Sequence, residues 1–134
     1  MVWGRTEDIR VVRTSPVDGT GSVAINAVVD IFFSQAVDVT TINTGTFIVA
    51  RNAVTPIAGS VVYSGVSGEF KATFTPSSNL DPEAFYQVTV VGLEHPFTGG
   101  SNAVVKNILG NSVGRNYIFS FSTAATFVEA PNQL

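Results

Sequence analysis

Seven short segments in which apolar and polar residues alternate, separated by turn residues at short intervals and with no amphipathic stretch of useful helical length, predict an all-β protein. Period-two patterning puts every second side chain on one face of a strand. Several such faces have to be buried at once, and two antiparallel layers packed face to face bury them. A third observation specifies the type of sandwich. Leu80 is followed by Pro82, and Tyr86 opens the alternating run Gln87-Val88-Thr89-Val90. That string has the form of a tyrosine corner, in which a Tyr hydroxyl bonds back to backbone where the chain passes between strands of an immunoglobulin-like domain. The expected fold is therefore an immunoglobulin-like antiparallel β-sandwich of about seven to eight strands, with Leu80, Pro82 and Tyr86 as its structural corner.

The elements follow in order. Residues 9–14 read as the first strand, and Ser15-Pro16-Val17-Asp18-Gly19-Thr20-Gly21 as a turn. An extra short strand is placed near 22–25. In 28–34, Val29, Ile31 and Phe33 share one face and Asp30, Phe32 and Ser34 the other; Phe32 makes the second face partly apolar, as in a central or covered strand. Residues 38–43 form a polar crossing with room for one helical turn, which Asp38 would cap by accepting backbone N–H bonds. The strand 46–50 runs into a hairpin loop at 52–56. In 57–63, Ile57, Gly59, Val61 and Tyr63 share a face. After a loop at 64–68, Phe70, Ala72 and Phe74 point inward from 69–75, and Pro76 ends that strand because proline donates no ladder bond. Tyr86, Val88 and Val90 point inward from 86–92, and Tyr117, Phe119 and Phe121 alternate with Ile118, Ser120 and Ser122 in the last strand, 116–123. These inward faces gather roughly twenty large apolar side chains, each contributing ~1.5–3 kcal/mol on burial.

A length of 134 residues fits one domain with a sizeable core. The division read from the sequence is an arm at 1–8, a sandwich at 9–123 carrying a long connection at 93–114, and a tail at 124–134. A connection of that length in a compact domain points to function or mobility. Only 13% of residues are charged and the net charge is −3, so the surface is rich in neutral polar residues and lacks the basic face that nucleic acid requires. No cysteine is present, which excludes disulfides, thiolate catalysis and zinc–thiolate sites. The first eight residues have neither the basic nor the apolar stretch of a secretion leader, so no export signal is expected, and no apolar run reaches the ~20 residues of a membrane span.

Several patterns resemble chemistry. Gly110-Asn111-Ser112-Val113-Gly114 spells the nucleophile elbow G-x-S-x-G. That elbow needs a helix after it and a His later in the chain, whereas here a strand follows and the one His, His95, comes earlier. Gly19-Thr20-Gly21-Ser22-Val23-Ala24 is similarly followed by a strand where a dinucleotide site needs a helix. Asp18, Asp38, Asp81 and Glu83 sit in turns without the spacing of a calcium loop. No catalytic residue, cofactor or metal is therefore expected. Trp3 in the arm, His95 and Phe97 in the long connection, and Phe127 and Val128 in the tail are instead the expected partner contacts, since aromatic residues outside a complete fold make good interface anchors.

The ordered set Ser15-Pro16-Val17-Asp18-Gly19, Ile31 to Asp38, Thr41-Ile42-Asn43, Thr46-Phe47-Ile48-Val49, Phe74-Thr75-Pro76, Leu80-Asp81-Pro82, Tyr86 to Val90, Gly110-Asn111-Ser112-Val113 and Phe119 to Thr123 resembles the bacterial Ig-like domain family of the S-layer protein type. The resemblance covers about 14–123 and implies a non-catalytic sandwich used as spacer, adhesive or structural unit in surface proteins and viral particles. Two functions compete. A surface-type fold without an export signal suits an accessory protein of a viral particle, decorating a capsid or associated with a tail, and hence a virion location. The alternative is an adhesion or spacer module of a cell-surface or secreted protein. Either takes protein partners, a second copy among them; a glycan is the less favoured partner, and nucleic acid and a membrane span are not expected.

Overall fold

A computed structural model of the chain describes residues 9–66, 69–93 and 103–125. Among these residues nine strands form two layers: β1 Val11–Ser15, β2 Thr20–Val23, β3 Val29–Phe33, β4 Phe47–Arg51, β5 Thr55–Pro56, β6 Gly59–Ser64, β7 Phe70–Pro76, β8 Phe85–Val90 and β9 Tyr117–Thr123. One sheet has the order β1-β3-β7-β6 and the other β2-β9-β8-β4-β5. Neighbours pair antiparallel except β2 and β9, which run parallel. The fold is an all-β immunoglobulin-like sandwich, with nine strands rather than seven or eight. The additional strand is the two-residue β5, which lies inside the expected hairpin loop and pairs with Ala50 and Arg51.

Alternation decides which side chains meet. Val29, Ile31 and Phe33 from β3, with Ala72 and Phe74 from β7, face Phe47 and Val49 from β4, Tyr86, Val88 and Val90 from β8, and Phe119 and Phe121 from β9; all are buried in one cluster. The Phe47 and Phe74 rings lie 5.7 Å apart across the two layers, and Tyr86 stacks on Phe121 at 5.6 Å. Both distances fall in the range where aromatic pairs add to their burial. The outward Phe32 is covered too. The Arg13 guanidinium sits 3.6 Å from its ring centroid and also bonds Glu69 at 3.0 Å. A cation over an aromatic face removes apolar surface from water and keeps its own charge solvated.

The corner between β7 and β8 ties the layers at one end. Tyr86 is 1% exposed, and its hydroxyl accepts the Asp81 N–H at 2.8 Å. Leu80 is buried beside it, and its N–H donates to the Ile25 carbonyl at 2.7 Å. The Thr123 hydroxyl donates to the Asp81 carbonyl and accepts the Ala84 N–H, so the end of β9 is bonded to the same corner. The Ala124 N–H continues to the Val23 carbonyl at 2.8 Å.

The β4–β5 hairpin turns on Asn52 and Ala53, with φ of 56° and 61°, closed by the Val54 N–H on the Arg51 carbonyl at 3.0 Å. Positive φ at both central positions is the type I′ turn that suits strand twist. Asn tolerates this backbone; Ala does so at a cost. Ala53→Gly is therefore expected to raise stability by about 0.5–1 kcal/mol in denaturant unfolding. Tyr86→Phe keeps the ring and removes the corner bond, and should cost about 1 kcal/mol in the same measurement.

Candidate interaction surfaces

Of the contact residues read from the sequence, Trp3, His95, Phe97, Phe127 and Val128 lie outside the described residues. Leu80, Pro82 and Tyr86 lie together at the corner, Leu80 and Tyr86 inside and Pro82 at the surface.

The described part of the long connection, 103–114, is anchored to the sandwich. Val104 packs with Ile48 and Val91 in a small cluster separate from the main core, while Val105 belongs to the main core. The Val105 N–H donates to the Val91 carbonyl at 2.9 Å, and the Asp38 N–H donates to the Lys106 carbonyl at 2.9 Å. Isolated bridges join Val37 to Asn107 and Lys106 to Ser112. Asn107 is fully buried and organises the tip. Its carboxamide oxygen accepts the N–H of Leu109 and of Asn111, both at 2.9 Å, and its amide donates to Gln35 Oε1 at 2.8 Å. The Asn116 side-chain oxygen accepts the Gly92 and Leu93 N–H groups, holding the base of the connection. A Cβ on Gly92 would lie 2.3 Å from the Arg115 carbonyl oxygen, so the close approach there requires glycine. The tip that results presents Ile108 and Leu109 to solvent, 69% and 64% exposed. Alternation did not reveal Asn107, Asn116 or the role of Thr123, because one polar residue in a loop carries no periodic signal.

The crossing beside this tip holds one 3-10 turn, Val39–Thr41, capped by Asp38. The Asp38 carboxylate accepts the Thr40 hydroxyl at 2.7 Å and the Thr40 N–H at 3.0 Å. These two bonds, the hydroxyl first, hold its pKa below the ordinary aspartate value. Thr46, fully buried, donates its hydroxyl to the Thr41 carbonyl at 2.7 Å and accepts the Asn43 N–H at 3.1 Å.

The motif residues are occupied with backbone. Ser112 Oγ accepts the Gly114 N–H at 3.1 Å between two positive-φ glycines, Gly110 and Gly114, and β9 follows where an elbow would need a helix. Asp18 accepts the Ser120 N–H at 3.0 Å, and Asp81 pairs with Arg51 at 2.8 Å. No group of three His, Asp or Glu side chains that could hold a metal occurs among the described residues, and no helix there is long and apolar enough to cross a membrane. Shallow hollows occur at the opposite end of the sandwich. One of about 260 Å³ is lined by Asn26, Thr75, Ser77, Ser78 and Asn79, without an aromatic side chain or an ionisable group.

A two-layer sandwich of this strand order, with its loops bonded to themselves, is a domain of the immunoglobulin type. The chain belongs to the bacterial Ig-like domain family, which matches residues 5–123. Among solved structures it is similar to the N-terminal part of the bacterial S-layer protein SbsC, with a TM-score of 0.58 and 19% identity over 87% of this chain and 24% of that one. A structure of domains 1–6 of SbsC gives 0.59 and 17% over 87% of this chain and 14% of that one. The chain thus spans a quarter or less of those S-layer chains. CopC from Methylosinus trichosporium OB3b is similar in fold, with a TM-score of 0.56 and 9% identity over 90% of this chain and 97% of that one. A search of curated proteins found no match.

Two measurements check this account of the tip. Asn107→Ala leaves the Leu109 and Asn111 N–H groups without their acceptor and should cost about 1–3 kcal/mol, with faster amide exchange at those two residues. The lowered pKa of Asp38 means that its capping contribution is present above the ordinary aspartate value and is lost as pH falls through the lowered one. A carboxyl NMR titration should give a midpoint below the ordinary aspartate value, and Thr40→Val should move it upward.

Proposed function

We propose that this chain is a non-enzymatic Ig-like module that serves as a spacer or adhesive unit of a bacterial cell-surface or secreted protein and makes its contacts with other proteins. The observation that carries this reading is the use made of the loop polar groups. Ser112, Asp18, Asp38, Asn107 and Thr123 bond to backbone of their own chain, and among the described residues no nucleophile, base and acid converge. Membership of the bacterial Ig-like family and the fold likeness to S-layer domains support the surface setting. The exposed Ile108 and Leu109 at an anchored tip suit contact with a protein partner.

Low surface charge and an apolar tip also suit a subunit whose surface is largely interface, and an accessory role in a viral particle is the second reading. Antibody labelling of intact source cells separates the two. The surface reading expects labelling of unpermeabilised cells and loss of the antigen on external protease treatment. Antigen confined to the cell interior and to purified particles released by lysis would sink it in favour of the particle reading.

A further inference from the structure

Among the described residues two open sheets leave four edge strands, and each edge strand exposes backbone N–H and C=O groups that invite another strand. Three of the edges here are blunted. β1 is broken by a register shift between Val11 and Arg13 and carries the Arg13 charge. β2 is broken between Thr20 and Val23, with Ser22 at a φ of 56°. β5 has two residues, one of them Pro56. β6 carries no such device: Gly59-Ser60-Val61-Val62-Tyr63-Ser64 has no charge, no proline and no bulge, and pairs with β7 in unbroken register from Gly59 opposite Pro76 to Ser64 opposite Lys71.

The register identifies the free groups. The Ser77 N–H donates to the Ala58 carbonyl at 2.9 Å. Bonded pairs alternate along an antiparallel ladder. Ser60, Val62 and Ser64 therefore exchange bonds with β7, and the N–H and C=O of Gly59, Val61 and Tyr63 point away from it. Those groups have no hydrogen-bond partner among the described residues. Gly59 has no room for a side chain, since a Cβ there would lie 2.5 Å from the Phe74 ring. Val62, on the outer face, is 64% exposed.

We propose that β6 pairs antiparallel with β6 of a second copy of this chain about a two-fold axis at Val61, joining two four-stranded sheets into one continuous sheet. The strand is complementary to itself in this register. Gly59 stands opposite the partner's Tyr63, so no two bulky side chains meet at that position. Val61 meets the partner's Val61 on the inner face, and Ser60 meets the partner's Val62 on the outer face, burying an exposed valine. Each of the three pairs with outward-pointing groups exchanges two N–H···O bonds. No like charges meet, because the strand has none. Self-complementarity about one residue is what a two-fold interface requires, and it favours a second copy over a strand from an unrelated protein. The proposal does not depend on the surface or particle setting.

The chain has no cysteine, so introduced ones report without background. Ser60 and the partner's Val62 form a closely spaced, non-bonded pair on the outer face, with a separation that suits a disulfide. The full chain is prepared as S60C and, separately, as V62C. Mixed in equal amounts under mild oxidation, the two should give a crosslinked dimer containing one of each, well above what either gives alone. Sedimentation of the unmodified chain should show a concentration-dependent dimer. V62K should weaken that dimer several-fold through the two symmetric lysines. V61P, which removes an outward N–H and no bond to β7, should abolish it with the far-UV spectrum unchanged. If V61P fails to fold, V62K and the crosslink decide. A chain that stays monomeric, crosslinks as strongly in S60C alone as in the mixture, or dimerises unaltered by V62K overturns the proposal. A monomer that takes up an unrelated extended peptide along β6 overturns it in favour of strand addition from another protein.

Discussion

The inner faces of the two sheets depend on each other. Ile31 and Phe74 on one side, and Phe47, Val88 and Phe119 on the other, are dry only while the opposite layer is in place. Each sheet alone would expose a row of large apolar side chains, and no α-helix is present among the described residues to cover either face. Contact between the layers is therefore the constraint that every other feature serves. The loops keep the layers in register, and Phe32 on the outer face is covered by Arg13.

Loops that cap such a sandwich lie beyond the ladders and have to satisfy their backbone by other means. Single polar side chains do this at several points. Thr46 binds the crossing before β4, Asn107 closes the tip before β9, and Thr123 joins β9 to the corner. A side chain that holds backbone in this way serves the shape of the loop. Ser112 illustrates this: its local sequence spells a nucleophile motif, while its oxygen accepts an N–H two residues on.

Local rules made much of this fold readable. The alternation in β3, β7, β8 and β9 names the buried residues directly, whereas β4 is buried on both faces, and the Leu80-Pro82-Tyr86 spacing spans so few residues that its geometry is visible in the string. Features that depend on distant partners were less visible. β2 has four residues, and its pairing with β9 is parallel, which no periodicity announces. β5 hides in a turn because its two residues carry no pattern. The stretch at 103–105 reads as loop because it has no neighbour in sequence to alternate with, yet Val105 reaches the core. Asn107 bonds Gln35, 72 residues away, and nothing near either residue foretells it. The expected contacts Trp3, His95, Phe97, Phe127 and Val128 lie outside the described residues.

The parallel pairing of β2 with β9 has a mechanical consequence. These strands lie near the beginning and the end of the fold and are fastened by the Gly19 N–H on the Ser120 carbonyl and the Ala124 N–H on the Val23 carbonyl. Because the strands point the same way, tension that draws the start of β2 away from the end of β9 runs along the seam rather than across it. Both fastenings then bear load together and must yield together, whereas an antiparallel hairpin pulled by its ends would unzip one bond at a time. Tension that reaches the fold through these two strands is thus met by both fastenings at once.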